Sequence, residues 1–351
     1  MKTKKNKVVF FVFFTLVLFS STMLIKEVRA TSTTIQKPTS GQQFNSLLNG
    51  DYITFKFIII GYYESYNTYI NGQLDYSLHH VGVDIQYDAK SFIDKYGRGT
   101  HTFDVTVSTG GPTPFSVTTK SIVMDSVSFT VDPPICHFVG FGYDFYDEYS
   151  LPYPLRWRSN IEPFRDMLLS DRAKYIPGYF ATHYDWDDDD VISILDTLDT
   201  KEKQQDIVVV LFSAHGHAVG PPPSWGAWTH SHTTTWFHEP EWTPAYKGVT
   251  ASELKGWLSD LETDNLIYIM ETCHSEGFHY RGKQLTNKKH VMVACEWDES
   301  SINLLEAYNP SWSLETRINN MNSPFLKQMC QSFYFNYYNT DTAFDLSLIH
   351  I

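Results

Sequence analysis

The sequence predicts two domains of different class: an all-β sandwich, then an α/β domain on a mostly parallel sheet with helices on both faces. Three observations predict it. Strand-like segments separated by turn signals fill the chain up to Asp132, and Asp132-Pro133-Pro134 interrupts it. Beyond that point apolar β-branched runs alternate with segments of helical spacing. With 351 residues, 42% of them hydrophobic, the chain can fill two cores.

The elements follow in order. Met1 to Lys7 is basic, Val8 to Ile25 is apolar apart from Thr and Ser, and Val28-Arg29-Ala30 is a small-x-small cleavage site. Residues 1–30 therefore read as a secretory signal peptide, with an uncleaved membrane anchor through residues 8–25 as the alternative. The protein is expected outside the cytoplasm, secreted or at the cell surface. Residues 31–132 read as β throughout. "DYITFKFIII", "HTFDVTVSTG" and "SIVMDSVSFTVD" are rich in β-branched and aromatic residues, and Asn71-Gly72 and Gly110-Gly111-Pro112 mark turns. The pattern "GRGTHTFDVTV" through "SFTVD" resembles the last strands of immunoglobulin-like domains, without their cysteine pair; a spacer or adhesion role is the reading for this part.

Residues 133–345 form the second domain. "ICHFVGFG" is a strand and "IEPFRDMLLS" a helix; "DDDDVISILDTLDT" is a helix whose acidic start suits its N-terminus. The strand "IVVVLF" follows. A helix then opens at the capping box Thr250 to Glu253, before the strands "NLIYIM" and "HVMVAC" and a last helix near "SPFLKQMCQSF". Residues 346–351, within "DLSLIHI", resemble translated adaptor read-through and read as a foreign tail.

The chemistry is expected at two strand ends. "IVVVLF" stops at Ser213-Ala214-His215-Gly216-His217, and "NLIYIM" stops at Glu271-Thr272-Cys273. In a parallel sheet both ends lie on one edge, where α/β proteins bind and react. A thiol beside an imidazole loses its proton and becomes a nucleophile, so Cys273 and His215 are the candidate catalytic pair. Gly216 leaves its N–H uncovered for an oxyanion. A buried carboxylate at Glu271 needs a partner, supplied by the substrate or by a pocket arginine. The four cysteines are too few for a disulfide framework.

"VVVLFSAHGH" together with "LIYIMETCHSEG" resembles the His-Gly and acidic-x-Cys-x-Ser motifs of the caspase, metacaspase, gingipain and legumain superfamily of cysteine peptidases. "ACEWDESSIN" is similar to the legumain strand ending in Glu-Ser-Ser. The resemblance implies a caspase-like α/β fold and a legumain-like endopeptidase working through a thioester acyl-enzyme. Cys273 would be the nucleophile, His215 the base, and the Gly216 and Cys273 amides the oxyanion hole. Glu271 and Ser300 would line the substrate pocket, with Arg158 of "RWRSNIEPF" as its arginine. Asn is then the favoured P1 residue and Arg or Lys the alternative. Glu276 departs from the family's Ser-Gly after the cysteine, and no acidic residue downstream of Glu-Ser-Ser matches the pocket.

Other readings compete. His215 and His217, with His230, His232 and His238, have metal-pair spacing, but no third ligand falls at a strand end, so no metal and no cofactor is expected. The insertion Pro221 to Trp242 carries Trp225, Trp228, Trp236 and Trp242 and reads as a lid, a subsite wall or a surface loop. A transamidase would share the dyad, and an adhesion protein with an inactive peptidase-like domain is the non-enzyme alternative. The expected partner is a peptide or protein substrate. Nucleic acid is not, because the net charge is −13 and the strong basic cluster is confined to the N-terminus. The sequence sets no oligomeric state.

Overall fold

A computed structural model describes residues 32–60, 65–78, 84–108, 121–142, 158–184, 186, 188–214, 216–219, 226–230, 248–273, 275, 278, 289–294 and 308–336. The chain forms two compact units. One takes the residues up to Phe44, Ile53–Tyr87 and Lys95–Val131; the other takes Asn45–Tyr52, Asp88–Asp94 and Asp132 onward.

The first unit has two sheets. One is built from β1 (Ser32–Lys37), β3 (Tyr52–Ile60) and β6 (Ile85–Asp88), in the order β1-β3-β6. The other contains β2 (Gln42–Phe44), β4 (Ser65–Ile70), β5 (Gln73–Leu78), β7 (Gly99–Ser108) and β8 (Ser121–Val131), in the order β2-β8-β7-β4-β5. The sheets meet through aromatic rings: Phe55 of β3 lies 4.6 Å from Phe103 and 5.5 Å from Phe129, ring centre to ring centre. Asn71-Gly72 joins β4 to β5 with positive φ at both residues (51° and 74°), the conformation that a tight two-residue hairpin demands.

The expectation of β structure throughout residues 31–132 is corrected by a helix, α1 (Ala89–Tyr96). Asp88 caps it, accepting from the Ser91 amide at 3.0 Å, and Ala89 packs in a small core with Ile135 and Ile176. Eight residues between two strands are too few to display a helical period in sequence.

The second unit is α/β. Its main sheet holds β9 (Ile135–Gly142), β10 (Ile176–Tyr184), β11 (Ile207–Ser213), β15 (Asn265–Glu271) and β16 (Lys289–Val293). They run in the order β10-β9-β11-β15-β16, with every pair parallel. Strand β10 carries no expectation from sequence, because "IPGYFATHY" has a Pro and a Gly in place of an apolar run; as an edge strand it tolerates both, with a register shift between Pro177 and Phe180. Between β11 and β15 a separate antiparallel sheet forms from β12 (Gly216–Val219), β13 (Gly226–His230) and β14 (Gly248–Thr250).

Alternation along the strands sends side chains to two faces, and both are covered. Helices α3 (Asp188–Asp199) and α4 (Ala251–Leu258) lie on one, against Val139, Val208, Val210, Leu266 and Tyr268. Helices α2 (Arg158–Leu169), α5 (Leu314–Asn319) and α6 (Pro324–Asn336) lie on the other, against Phe138, Val209, Leu211, Ile267 and Ile269. A sheet buried on both sides explains the unbroken apolar runs. Gly140 lets α2 come close: a Cβ there would sit 2.6 Å from Ile161 Cγ2.

At the amino-terminal edge Glu202 is 5% exposed, and burial raises its carboxyl pKa to about 7 although the Glu262 amide donates to it. A carboxyl whose folded pKa lies above its unfolded value of 4.5 contributes most stability below 4.5 and loses it as pH rises through 7. Glu202→Gln should therefore flatten the fall in urea midpoint as pH rises from below 4.5 to above 7; a variant curve parallel to that of the natural chain would contradict this.

Candidate active site

The site is built at the carboxyl edge of the parallel sheet. Strand β9 is first in chain order, with β10 on one side and β11 on the other, so the order reverses between β9 and β11. Crevices at such a reversal are where open α/β sheets bind ligands. The ends are level: Ser213 pairs with Gly142 on one side and with Glu271 on the other. The Ala214 amide then donates to the Glu271 carbonyl at 3.2 Å, continuing the ladder one residue past β11.

Ser213 and Glu271 are fully buried. The Ser213 hydroxyl donates to Glu271 Oε2 at 3.0 Å, and Asn160 in the first turn of α2 donates through Nδ2 to Ser213 Oγ at 3.0 Å. Asn160 Oδ1 accepts from the Ser323 amide at 2.8 Å, and Ser323 in turn caps α6, accepting from the Leu326 amide at 3.2 Å. Two strand ends and two helix starts are tied by one buried polar chain. Asn160 and Ser213 are the site residues that sequence reasoning missed. A lone polar residue in a first turn or at a strand end looks like any cap, and only the fold shows that the two meet.

Cys273 follows Glu271 by two residues, is partly exposed, and is in no disulfide. Cys136 and Cys330 are buried; burial pushes the Cys136 thiol up to about 12 and the Cys330 thiol higher still. Arg158 opens α2 at the same edge, its guanidinium carbon 4.5 Å from the centre of the Tyr184 ring. Burial, with Glu162 nearby, raises the Tyr184 phenol well above its usual range. Glu162 also accepts from the Tyr308 hydroxyl at 2.7 Å. Gly216 opens β12, opposite Thr229. His215 and Ser300 lie outside the described residues, as do Cys295, the side chain of His217, His232, His238, and residues 1–31 and 337–351. Of the tryptophan-bearing insertion, Gly226–His230 is a strand paired with β12 and β14, and the rest lies outside. No described helix is long and apolar enough to cross a membrane. Among the described residues no group of three or more His, Cys, Asp or Glu could hold a metal ion.

No family model and no curated relative matches the chain. Among solved structures, the fibronectin(III)-like modules of Clostridium thermocellum CbhA share 11% identity over 29% of this chain and 96% of theirs, at a TM-score of 0.21. An endo-β-1,4-mannanase from Thermotoga petrophila shares 13% over 31% of this chain and 21% of its own, at 0.22. A Geobacter sulfurreducens protein shares 12% over 57% and 82%, at 0.34. Likenesses of this size carry no argument about fold or activity.

The burial pattern predicts a selective thiol. In the native protein iodoacetamide should modify Cys273 and leave Cys136 and Cys330 unmodified, read peptide by peptide in a mass spectrometer. Equal labelling of all three before unfolding would show that the site is not built as described.

Proposed function

We propose that this chain is an extracytoplasmic cysteine endopeptidase of the legumain-like kind, with a caspase-like α/β domain preceded by an immunoglobulin-like sandwich. The observation that carries the reading is the level pairing of Ser213 with Glu271 on adjacent parallel strands. The sequence puts His215 two residues beyond one and Cys273 two residues beyond the other. The buried side-chain chain below that edge and the partly exposed thiol at it support the same reading.

The chemistry follows from those roles. His215 takes the proton of Cys273, and the thiolate attacks the scissile carbonyl carbon. The Gly216 and Cys273 amides stabilise the oxyanion. The C–N bond then breaks, with the proton passing from His215 to the leaving amine, and water hydrolyses the thioester. An amine in place of water would make the same enzyme a transamidase. Glu271, Ser300 and Arg158 form the P1 pocket in this reading, with Asn favoured over Arg or Lys. A carboxylate and a guanidinium together leave a near-neutral cavity suited to an amide, which donates and accepts.

Cys273→Ala and His215→Ala should each lower turnover of a peptide substrate by at least ~10³-fold, and the double variant should lose little more, because nucleophile and base act as one unit. Substantial turnover by Cys273→Ala would overturn the mechanism. Fluorogenic peptides differing only at P1 test the pocket: cleavage after Asn is expected, and strong cleavage after Arg with Asn peptides untouched would remove Arg158 from it.

A further inference from the structure

We propose that Lys95 and Asp75 condense into an intramolecular amide, a covalent cross-link that the β-rich unit makes for itself, assisted by the Tyr87 and Tyr96 hydroxyls. The proposal stands apart from the reading of Cys273. All four residues belong to one compact unit, and residues 31–132 contain no cysteine, so no disulfide can staple this unit internally.

Three elements bring the groups together. Asp75 is the residue of β5 left unpaired where the register against β4 shifts, with Thr68 facing Tyr76 and Tyr69 facing Leu74. A bulge of this kind re-aims a side chain. The Asp75 side chain has no exposed surface. Its Oδ1 accepts from the hydroxyl of Tyr87 in β6 and from Tyr96 and Lys95, the last two residues of α1, with Lys95 Nζ at 3.1 Å. The two phenol rings stand edge to face, 6.1 Å apart, and Nζ lies 5.5 Å from the centre of the Tyr87 ring and 4.8 Å from that of Tyr96. Asp75 Oδ2 is buried and has no hydrogen-bond partner among the described residues.

Burial works against the Lys95 charge, but contacts with Asp75 and Tyr87 outweigh it and favour the ammonium. The pair therefore starts as ammonium and carboxylate. One buried carboxylate oxygen is unsatisfied, and that costs free energy. Condensation removes both charges and that oxygen. Nζ passes one proton to Oδ2 and, turning on its half-exposed side chain, attacks Cγ. Negative charge gathers on Oδ1, where both phenols already donate. Burial, with the bond to Asp75, raises both phenols above their usual range, so they stay protonated. A second proton then moves from Nζ to the Oδ2 hydroxyl, the Cγ–Oδ2 bond breaks, and water leaves. The product is an Nζ–Cγ amide that keeps Oδ1 as its oxygen. No other reactant is needed, and contact within the fold replaces a bimolecular encounter.

The test digests the natural full chain with trypsin after unfolding. Trypsin cuts after a free lysine and passes over an acylated one. Phe57–Lys90 and Ser91–Arg98 should therefore appear as one species, lighter by one water than the two peptides together. Its fragments should start from both Phe57 and Ser91, which separates it from an uncut run of residues 57–98. Lys95→Arg keeps the positive charge but offers no amine, and should release Phe57–Lys90 unlinked. Tyr87→Phe combined with Tyr96→Phe should lower the linked fraction at least about threefold, because the oxyanion loses both donors. Recovery of Ser91–Lys95 and Tyr96–Arg98 from the natural chain, with no linked species, would overturn the proposal and leave a plain ion pair. A linked species that persists in Lys95→Arg would also overturn it, and an undiminished fraction in the double phenylalanine variant would remove the phenols from the mechanism.

Discussion

A carboxylate with no exposed surface must find its donors inside the protein, and at the carboxyl edge of this sheet Glu271 sets that demand. Ser213 is one such donor, Asn160 donates to Ser213, and a backbone amide at the start of α6 donates to Asn160. These hydrogen bonds thus tie the ends of β11 and β15 and the starts of α2 and α6 to one another. The sheet below allows this because both its faces are sealed by helices, which leaves its edge as the place where polar groups can gather.

Much of the fold was legible in the sequence, for a physical reason. Strands buried on both faces must be apolar at nearly every position, so "ICHFVGFG", "IVVVLFS" and "NLIYIME" announce themselves, and the helices between them carry one-sided apolar periods. What escaped reading was short or at an edge. Strand β10 accepts Pro177 because no described strand pairs beyond it in the sheet, and α1 and α5 are too brief for a period to emerge. Grouping was hidden as well. Asn45–Tyr52 and Asp88–Asp94 belong with the α/β unit, where the Asn49 amide donates to the Lys174 carbonyl at 2.8 Å, although each is flanked by strands of the other unit.

The site was legible by halves. Cys273 stood out because a buried strand ended on it, and Glu271 because a charge at that strand's end required a partner. The partner itself was not readable. Sequence offered the substrate or Arg158; the structure adds Ser213, from a strand whose polar terminus looked like an ordinary turn, and seats Arg158 over the Tyr184 ring. Contacts between residues 58 positions apart depend on strand register, and register comes from the whole sheet.

A second buried polar chain, at the opposite edge, shows why such chains need to be told apart. The Tyr179 amide donates to His137 Nδ1 at 3.1 Å, so the ring proton sits on Nε2 and faces Asp206 Oδ2 at 3.2 Å. Asp206 also accepts from the amides of Ile135 and Lys203, at 3.0 and 2.9 Å. This chain too has its direction set by backbone N–H groups, and it too joins strand starts to a loop. Yet Asp206 receives its donors from the very segments it braces, and the nearby thiol of Cys136 is buried and held protonated. The chain at the carboxyl edge ends instead on a carboxylate two residues from a partly exposed thiol. Burial and direction make either chain a brace. In the proposed reading, adjacency to a thiol that solvent can reach is what gives one of them a route into chemistry.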